Sequence, residues 1–368
     1  MPRMDTPMTR RLPLLFAVLA SPVAAQEERA VAEIPADSAP LFGSHDVLGM
    51  RLEGPLERVF RERDPEDPES YEAVLSWRSA GGAEERQTIS LRTRGQFRLQ
   101  RRTCEFPPLR VNVKKSAVEG TLFAGQDKLK LVTHCQDGRD EYEQYLLQEY
   151  LIYRMYNLFT EESFRVRLVR MTYVDSEAKR DSITKYAFFI EDEDAMATRN
   201  GLEILEVPQL PPEQVSQWDL IRFELFQYLI GNTDFDPFKA EPDDEYCCHN
   251  AVLIGSMLDM LVIPVPYDFD WSGVISARYA RPAEILGIRS VRERRFWGVC
   301  RPREEWEVVF PEFEERRQAI YELFRSQPDL DPDRLEDSLE YFDEFYEIIG
   351  DEGRVRREIE SQCRGRQR

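Results

Sequence analysis

The feature that most constrains this chain is a change of hydrophobic period near residue 141. Upstream, segments at 73–77, 88–94, 109–113 and 128–132 are short, rich in Val, Leu and Ile, and separated by turn residues such as Gly81-Gly82 and Asp67-Pro68. Such runs predict strands of a mostly antiparallel sheet. From Glu141 onward, Tyr145, Leu146, Tyr150, Leu151, Tyr153, Met155 and Leu158 fall at helical spacing with no Gly or Pro between them, which predicts a first long helix. Strands are expected again at 164–173 and 183–190, turned at Asp175, and a helix at about 212–230 that Gly231 stops. An acidic loop at 234–244 leads into a hairpin at 251–254 and 260–265, and helices follow at about 303–327, 333–349 and 354–363. A strand-rich half followed by a helix-rich half is an α+β pattern, with an N-lobe expected over 46–205 and a C-lobe over 206–368.

The first residues carry Arg3, Arg10 and Arg11, then an apolar run at 12–20 and small residues at 21–25, with Val23 and Ala25 in small-x-small positions. That order predicts a signal peptide over 1–25 that is cleaved after Ala25. The apolar run is about half the ~20 residues that span a bilayer, and no later stretch is long and uncharged enough to cross one. The expected protein is therefore exported, periplasmic or extracellular, with no transmembrane segment after cleavage. Residues 26–45, rich in Ala, Glu, Pro and Ser, read as a flexible linker. Forty-nine basic against 69 acidic residues give a formal charge of −20, which repels nucleic acid and anionic lipid.

Six cysteines in an exported chain predict disulfides, with Cys104 or Cys135 in at least one of them. Adjacent Cys247 and Cys248 are not expected to pair with each other, because a vicinal bridge strains the backbone. Zinc lacks the C-x-x-C pairs it would need.

The chemistry concentrates in three stretches. Gly231-Asn232-Thr233-Asp234-Phe235-Asp236 follows a helix end, His249-Asn250 precedes the hairpin, and Tyr267-Asp268-Phe269-Asp270-Trp271-Ser272-Gly273 follows it. Carboxylates and an Asn placed where a helix ends and a hairpin returns can meet at one point. Phosphoryl transfer needs such a point, with one carboxylate for the attacking hydroxyl and oxygen ligands that hold magnesium against the phosphates. The plainer reading makes Asp234 and Asp236 turn formers before Pro237, and Asp268 and Asp270 residues of a strand end. Carboxylates at the exit of a buried strand, however, usually have a partner or an ion. No G-x-S-x-G, H-E-x-x-H or Walker A string is present, and His45, His134 and His249 leave a Ser-His-Asp hydrolase few bases.

The order "GNTD", then an Asn, then "VPYDFDWSG" resembles the catalytic half of the spore-coat protein H (CotH) kinase-like family. Upstream, "LRTRGQFR" resembles that family's Arg-Gly strand, "DKLKLVTHCQDG" its Lys-bearing strand, and "RLVRMTYVDSEAKRDSITKYAFFIEDEDA" its next hairpin, so the likeness spans roughly residues 85 to 275. The chain is also similar to a group of exported bacterial proteins with the strings R-x-R-G-x-F-R, C-x-F-P-P-L-R and Y-D-F-D-W-S-G. The resemblance implies a two-lobed atypical protein-kinase-like fold. It further implies transfer of phosphate from ATP, with Mg, to a protein hydroxyl. Asp234 would then be the catalytic base, Asn250 and Asp268 the magnesium ligands with Asp270 replacing or supplementing Asp268, and Lys128 or Lys130 the phosphate contact with Glu149 as its partner. The expected partner is a protein substrate. The alternative is a catalytically inactive binding or scaffold protein of the cell envelope with the same fold.

Overall fold

The computed structural model describes residues 40–79, 81–240, 246–256 and 261–365. The signal peptide read at 1–25 and most of the linker lie outside these residues, as does part of the acidic loop. The described residues belong to one compact unit.

In chain order the elements are β1 (Leu48–Gly54), α1 (Leu56–Arg61), β2 (Tyr71–Arg78), β3 (Glu84–Thr93), β4 (Leu109–Asn112), β5 (Lys128–Val132), α2 (Asp140–Tyr156), β6 (Val166–Asp175), β7 (Ile183–Ile190), α3 (Glu193–Arg199), β8 (Glu203–Ile204), α4 (Gln217–Ile230), β9 (Ala251–Ser256), β10 (Leu261–Pro266), α5 (Arg303–Glu307), α6 (Phe310–Arg325), α7 (Pro332–Ile349) and α8 (Glu352–Val355). Strands β1 to β7 close into a barrel in the order β1-β2-β3-β4-β5-β7-β6, while β10, β9 and β8 make a separate three-stranded sheet.

The barrel corrects the expected two-lobed protein-kinase-like fold, because its strand-rich part is a closed mixed barrel and not an open lobe. Closure depends on β1, which pairs antiparallel with β2 and parallel with β6, setting Leu48 beside Val169 and Gly54 beside Asp175. Its residues alternate inward and outward, and a side chain at Gly54 would press within 2.8 Å of Ala73 Cβ. Residues 40–42, at the end of the segment read as a linker, form a 3-10 turn that buries Leu41 and Phe42 in the barrel's core.

Two apolar cores follow from the side-chain period of two along each strand. Leu52, Leu75, Leu91, Val111, Leu131, Met171, Ala187 and Phe189 fill the barrel. The intervening residues of β6 and β7, including Leu168, Phe188 and Ile190, face outward and pack with α2, α4, α6 and α7 in a second core. This is why residues 166–169 of β6 and 186–190 of β7 are buried without a break rather than alternately. The helix read at 303–327 is broken into α5 and α6, with Pro311 in the first turn of α6, where its missing N–H costs no helical hydrogen bond.

All six cysteines pair, Cys104 with Cys135, Cys247 with Cys248 and Cys300 with Cys363. The Cys247–Cys248 pairing corrects the expectation that these neighbours do not bridge, and the other two pairs are consistent with an oxidising location. Among the described residues no helix is long and apolar enough to cross a membrane.

Candidate functional site

Two glycines bring the motif stretches together. Gly231 ends α4 at a left-handed φ of 66°, a conformation that glycine adopts at no steric cost. Its carbonyl accepts a hydrogen bond from the Gly273 N–H at 3.0 Å, and the Ile230 carbonyl accepts one from Val274. Tyr341 of α7 seats against both glycines, since a Cβ at either would stand within 2.3 Å of its hydroxyl. The helix end before Asp234 and the loop after Asp270 are thereby fused along one seam.

Past Gly231, Asn232 is buried, holds Gln227 through Nδ2, and accepts from the Asp234 N–H through Oδ1. The Asp234 carboxylate meets His249 Nε2 at 3.0 Å through Oδ1 and Asn250 Nδ2 at 3.0 Å through Oδ2. Asn250 also donates to the Asp234 backbone oxygen at 2.7 Å, and the Asn250 carbonyl accepts from the Tyr267 N–H, one residue before Asp268. Asn250 and Asp268 both hold left-handed backbone, with φ of 50° and 58°. For non-glycine residues this is uncommon, and such positions cluster at ligand sites.

On the other side of Asp268 lies a buried ion cluster. Its backbone N–H donates to the Tyr153 hydroxyl, and its Oδ1 stands 3.2 Å from Arg98 Nη2. The same guanidinium reaches Glu149 of α2 at 3.2 Å and Asp270 at 3.4 Å. Burial, opposed by Arg98 and reinforced by Asp268, pushes the Glu149 carboxyl up to about 7. Burial likewise holds the Asp270 carboxyl well above the usual carboxylate range, and Asp270 is hydrogen-bonded to Tyr279. One Arg against three acids leaves negative charge that favours retention of a proton. The loop carrying Arg98 is itself fixed, by Arg63 bonding to the Leu99 and Cys104 carbonyls and by the Cys104–Cys135 bridge.

Between this cluster and the barrel wall lies a cavity of about 10 Å³, room for about one water, with Arg94, Lys130, Glu149, Tyr267 and Asp268 among its lining residues. Glu149 Oε1 is buried there without a hydrogen-bond partner. Lys130 is buried over the Tyr267 ring and paired with Glu193, whereas Lys128 is exposed at the start of β5. Glu149 is thus partnered by Arg98, and Lys130 by an acid of α3 that the sequence did not single out.

For a magnesium ion, Asp268 and the Asn250 amide offer oxygens on adjoining backbone, while Asp270 is buried on Arg98 and Tyr279. Among the described residues no three His, Cys, Asp or Glu side chains cluster as a metal cage. Such a donor set fits magnesium only as a shared ion, since this metal typically takes one or two carboxylates and completes its shell with phosphate oxygens and water. Arg98 is the main residue that sequence reading missed; its signal was the third arginine of "LRTRGQFR", two residues beyond the turn at Gly95-Gln96. No protein-family model and no curated protein matches the chain.

Proposed function

We infer that this chain is an exported phosphotransferase that takes ATP and magnesium and moves a phosphoryl group to a protein hydroxyl, with chemistry like that of the CotH kinase-like family but mounted on a barrel-containing fold. The observation that carries the reading is the Asn250 bridge, which holds the Asp234 carboxylate through Nδ2 while its own carbonyl anchors the residue before Asp268. A base and a ligand carboxylate are thereby tied to one backbone link.

In this reading Asp234 accepts the proton of the attacking hydroxyl. Asn250 and His249 fix the carboxylate, so that little reorganisation is needed during the reaction. Asp268 and the Asn250 amide oxygen would hold magnesium, which when bound would neutralise charge on the transferring group. Lys130, at the cavity wall, contacts the phosphates once it leaves Glu193. The cavity's size requires the cleft between barrel and helices to widen for a nucleotide.

One observation favours the alternative, a binding or scaffold protein that does not transfer phosphate: Arg98 already lies across Asp268, Asp270 and Glu149. Radiolabelled ATP with magnesium and denatured envelope protein as acceptor tests the choice. Label transferred by wild type and lost in Asp234→Asn supports the transferase, and binding without transfer supports the alternative.

A further inference from the structure

Three cations stand side by side across three strands of the barrel. The register places Arg92 of β3 opposite Arg110 of β4, and Arg110 opposite Lys130 of β5. Their chain neighbours Leu91, Leu109, Val111, Leu129 and Leu131 fill the barrel, so all three point to its outer face. Arg94 follows on the same face and lines the cavity beside Lys130. Like charges directly opposite one another across strands destabilise a sheet. This chain is otherwise strongly acidic, and most of its described arginines are paired. Yet the Arg92, Arg94 and Arg110 side chains make no hydrogen bond or ion pair among the described residues, and the nearby acids are Glu193, which is paired with Lys130 and also feels Arg110 and Arg94, Asp192 and, beside Arg94, Glu149, which is paired with Arg98. Burial and the neighbouring charges of Arg94 and Arg92 hold the Arg110 guanidinium below its ordinary range.

We propose that Arg92, Arg94, Arg110 and Lys130 form a binding site for a phosphate chain, carried by an inorganic oligophosphate or by a nucleotide. Guanidinium forks match phosphate oxygens two by two, and each phosphate carries enough charge to neutralise neighbouring arginines. Adjacent strands are about 4.8 Å apart, so the row extends for about 10 Å and suits several linked phosphates better than a single one. The site deepens the transferase reading, from which it takes Lys130 as a phosphate contact, but it needs neither the metal nor Asp234 and Asp268, so its test can fail independently.

The test is calorimetric titration with tripolyphosphate, free of metal and at low salt, of wild type, Arg92→Gln, Arg110→Gln and Arg86→Gln, an exposed arginine of β3 outside the row. Wild type and Arg86→Gln should bind, Arg92→Gln and Arg110→Gln should bind at least about tenfold more weakly, and added salt should weaken all of them. The unliganded melting temperature of Arg110→Gln should equal or exceed that of wild type, because a like-charge contact is removed. ATP without magnesium should bind as tripolyphosphate does. Absence of tripolyphosphate binding by wild type at about 1 mM overturns the site, even where ATP binds, as does equal affinity in Arg92→Gln and Arg110→Gln.

Discussion

Asn250 donates from Nδ2 to both the backbone oxygen and the carboxylate of Asp234, at 2.7 and 3.0 Å. The side chain can do this because the Asn250 backbone is left-handed, a region that Asn tolerates better than most residues. Asn250→Ala should therefore cost about 2 to 3 kcal/mol, from two lost hydrogen bonds and a strained φ. Asn250→Gly should recover about 1 kcal/mol of that by relieving the backbone alone. Urea unfolding measures both, and midpoints equal to wild type would show that Asn250 does not anchor Asp234.

Among the described residues, Arg98 is the one cation that ion-pairs with Glu149, Asp268 and Asp270. Arg98→Met should destabilise the fold by about 3 to 5 kcal/mol, because it leaves buried carboxylates uncompensated. The loss should shrink on acidification, as Glu149 and Asp270 take up protons and their repulsion ends. Guanidinium chloride midpoints at about pH 5 and pH 8 test this. A loss that is the same at both values would place the cost in packing instead.

Glu149 also sets a pH dependence in the wild type. Its folded carboxyl titrates at about 7 against an ordinary 4.5, so between those values the folded state keeps a proton that the unfolded state has released. Stability should therefore fall as pH rises from about 4.5 to 7 and level off above that. Glu224, buried on Arg301 and the Val299 N–H, is pushed up to about 7 by burial and adds a slope of the same sign. Glu149→Gln should flatten part of the slope and leave the Glu224 part. An unchanged pH profile in Glu149→Gln would mean that Glu149 is charged in the fold.

Local pattern revealed most elements of this fold but not their assembly. The strand read at 183–190 is β7, residue for residue, and α2 begins and ends within two residues of its expected span, because apolar period is a property of neighbours in sequence. Barrel closure is a pairing of β1 with β6, more than a hundred residues apart, and nothing in the residues 48–54 announces a parallel partner. In the candidate site, Asp234, Asn250 and Asp268 stood out by residue type and by resemblance. Arg98 and the row of Arg92 and Arg110 did not, since a lone arginine in a strand pattern reads as solvated surface. Only the register across β3, β4 and β5 turns two separate arginines and a lysine into one feature.

Non-reducing peptide mapping should recover Cys104 linked to Cys135 and Cys300 linked to Cys363. With its ends 63 positions apart, the Cys300–Cys363 bridge is worth about 4 kcal/mol in the chain-entropy picture, so a Cys300→Ser, Cys363→Ser double variant should unfold at clearly lower denaturant. The same bridge precedes Arg364, which is paired with Asp236 in the loop beyond Asp234. Recovery of a peptide joining Cys104 to Cys300 or Cys363 would contradict this arrangement.

The most direct measurement is the rise in melting temperature that magnesium and ATP together produce, in wild type, Asp268→Asn and Asp234→Asn. A ligand bound only by the folded state at a hundred times its dissociation constant adds about 2.7 kcal/mol, well within what thermal unfolding resolves. If Asp268 holds the ion that the phosphates share, wild type should rise, Asp268→Asn should rise much less, and Asp234→Asn should keep most of the rise while losing transfer. An equal rise in wild type and Asp268→Asn, or none in wild type, would contradict a magnesium and nucleotide site at Asp268.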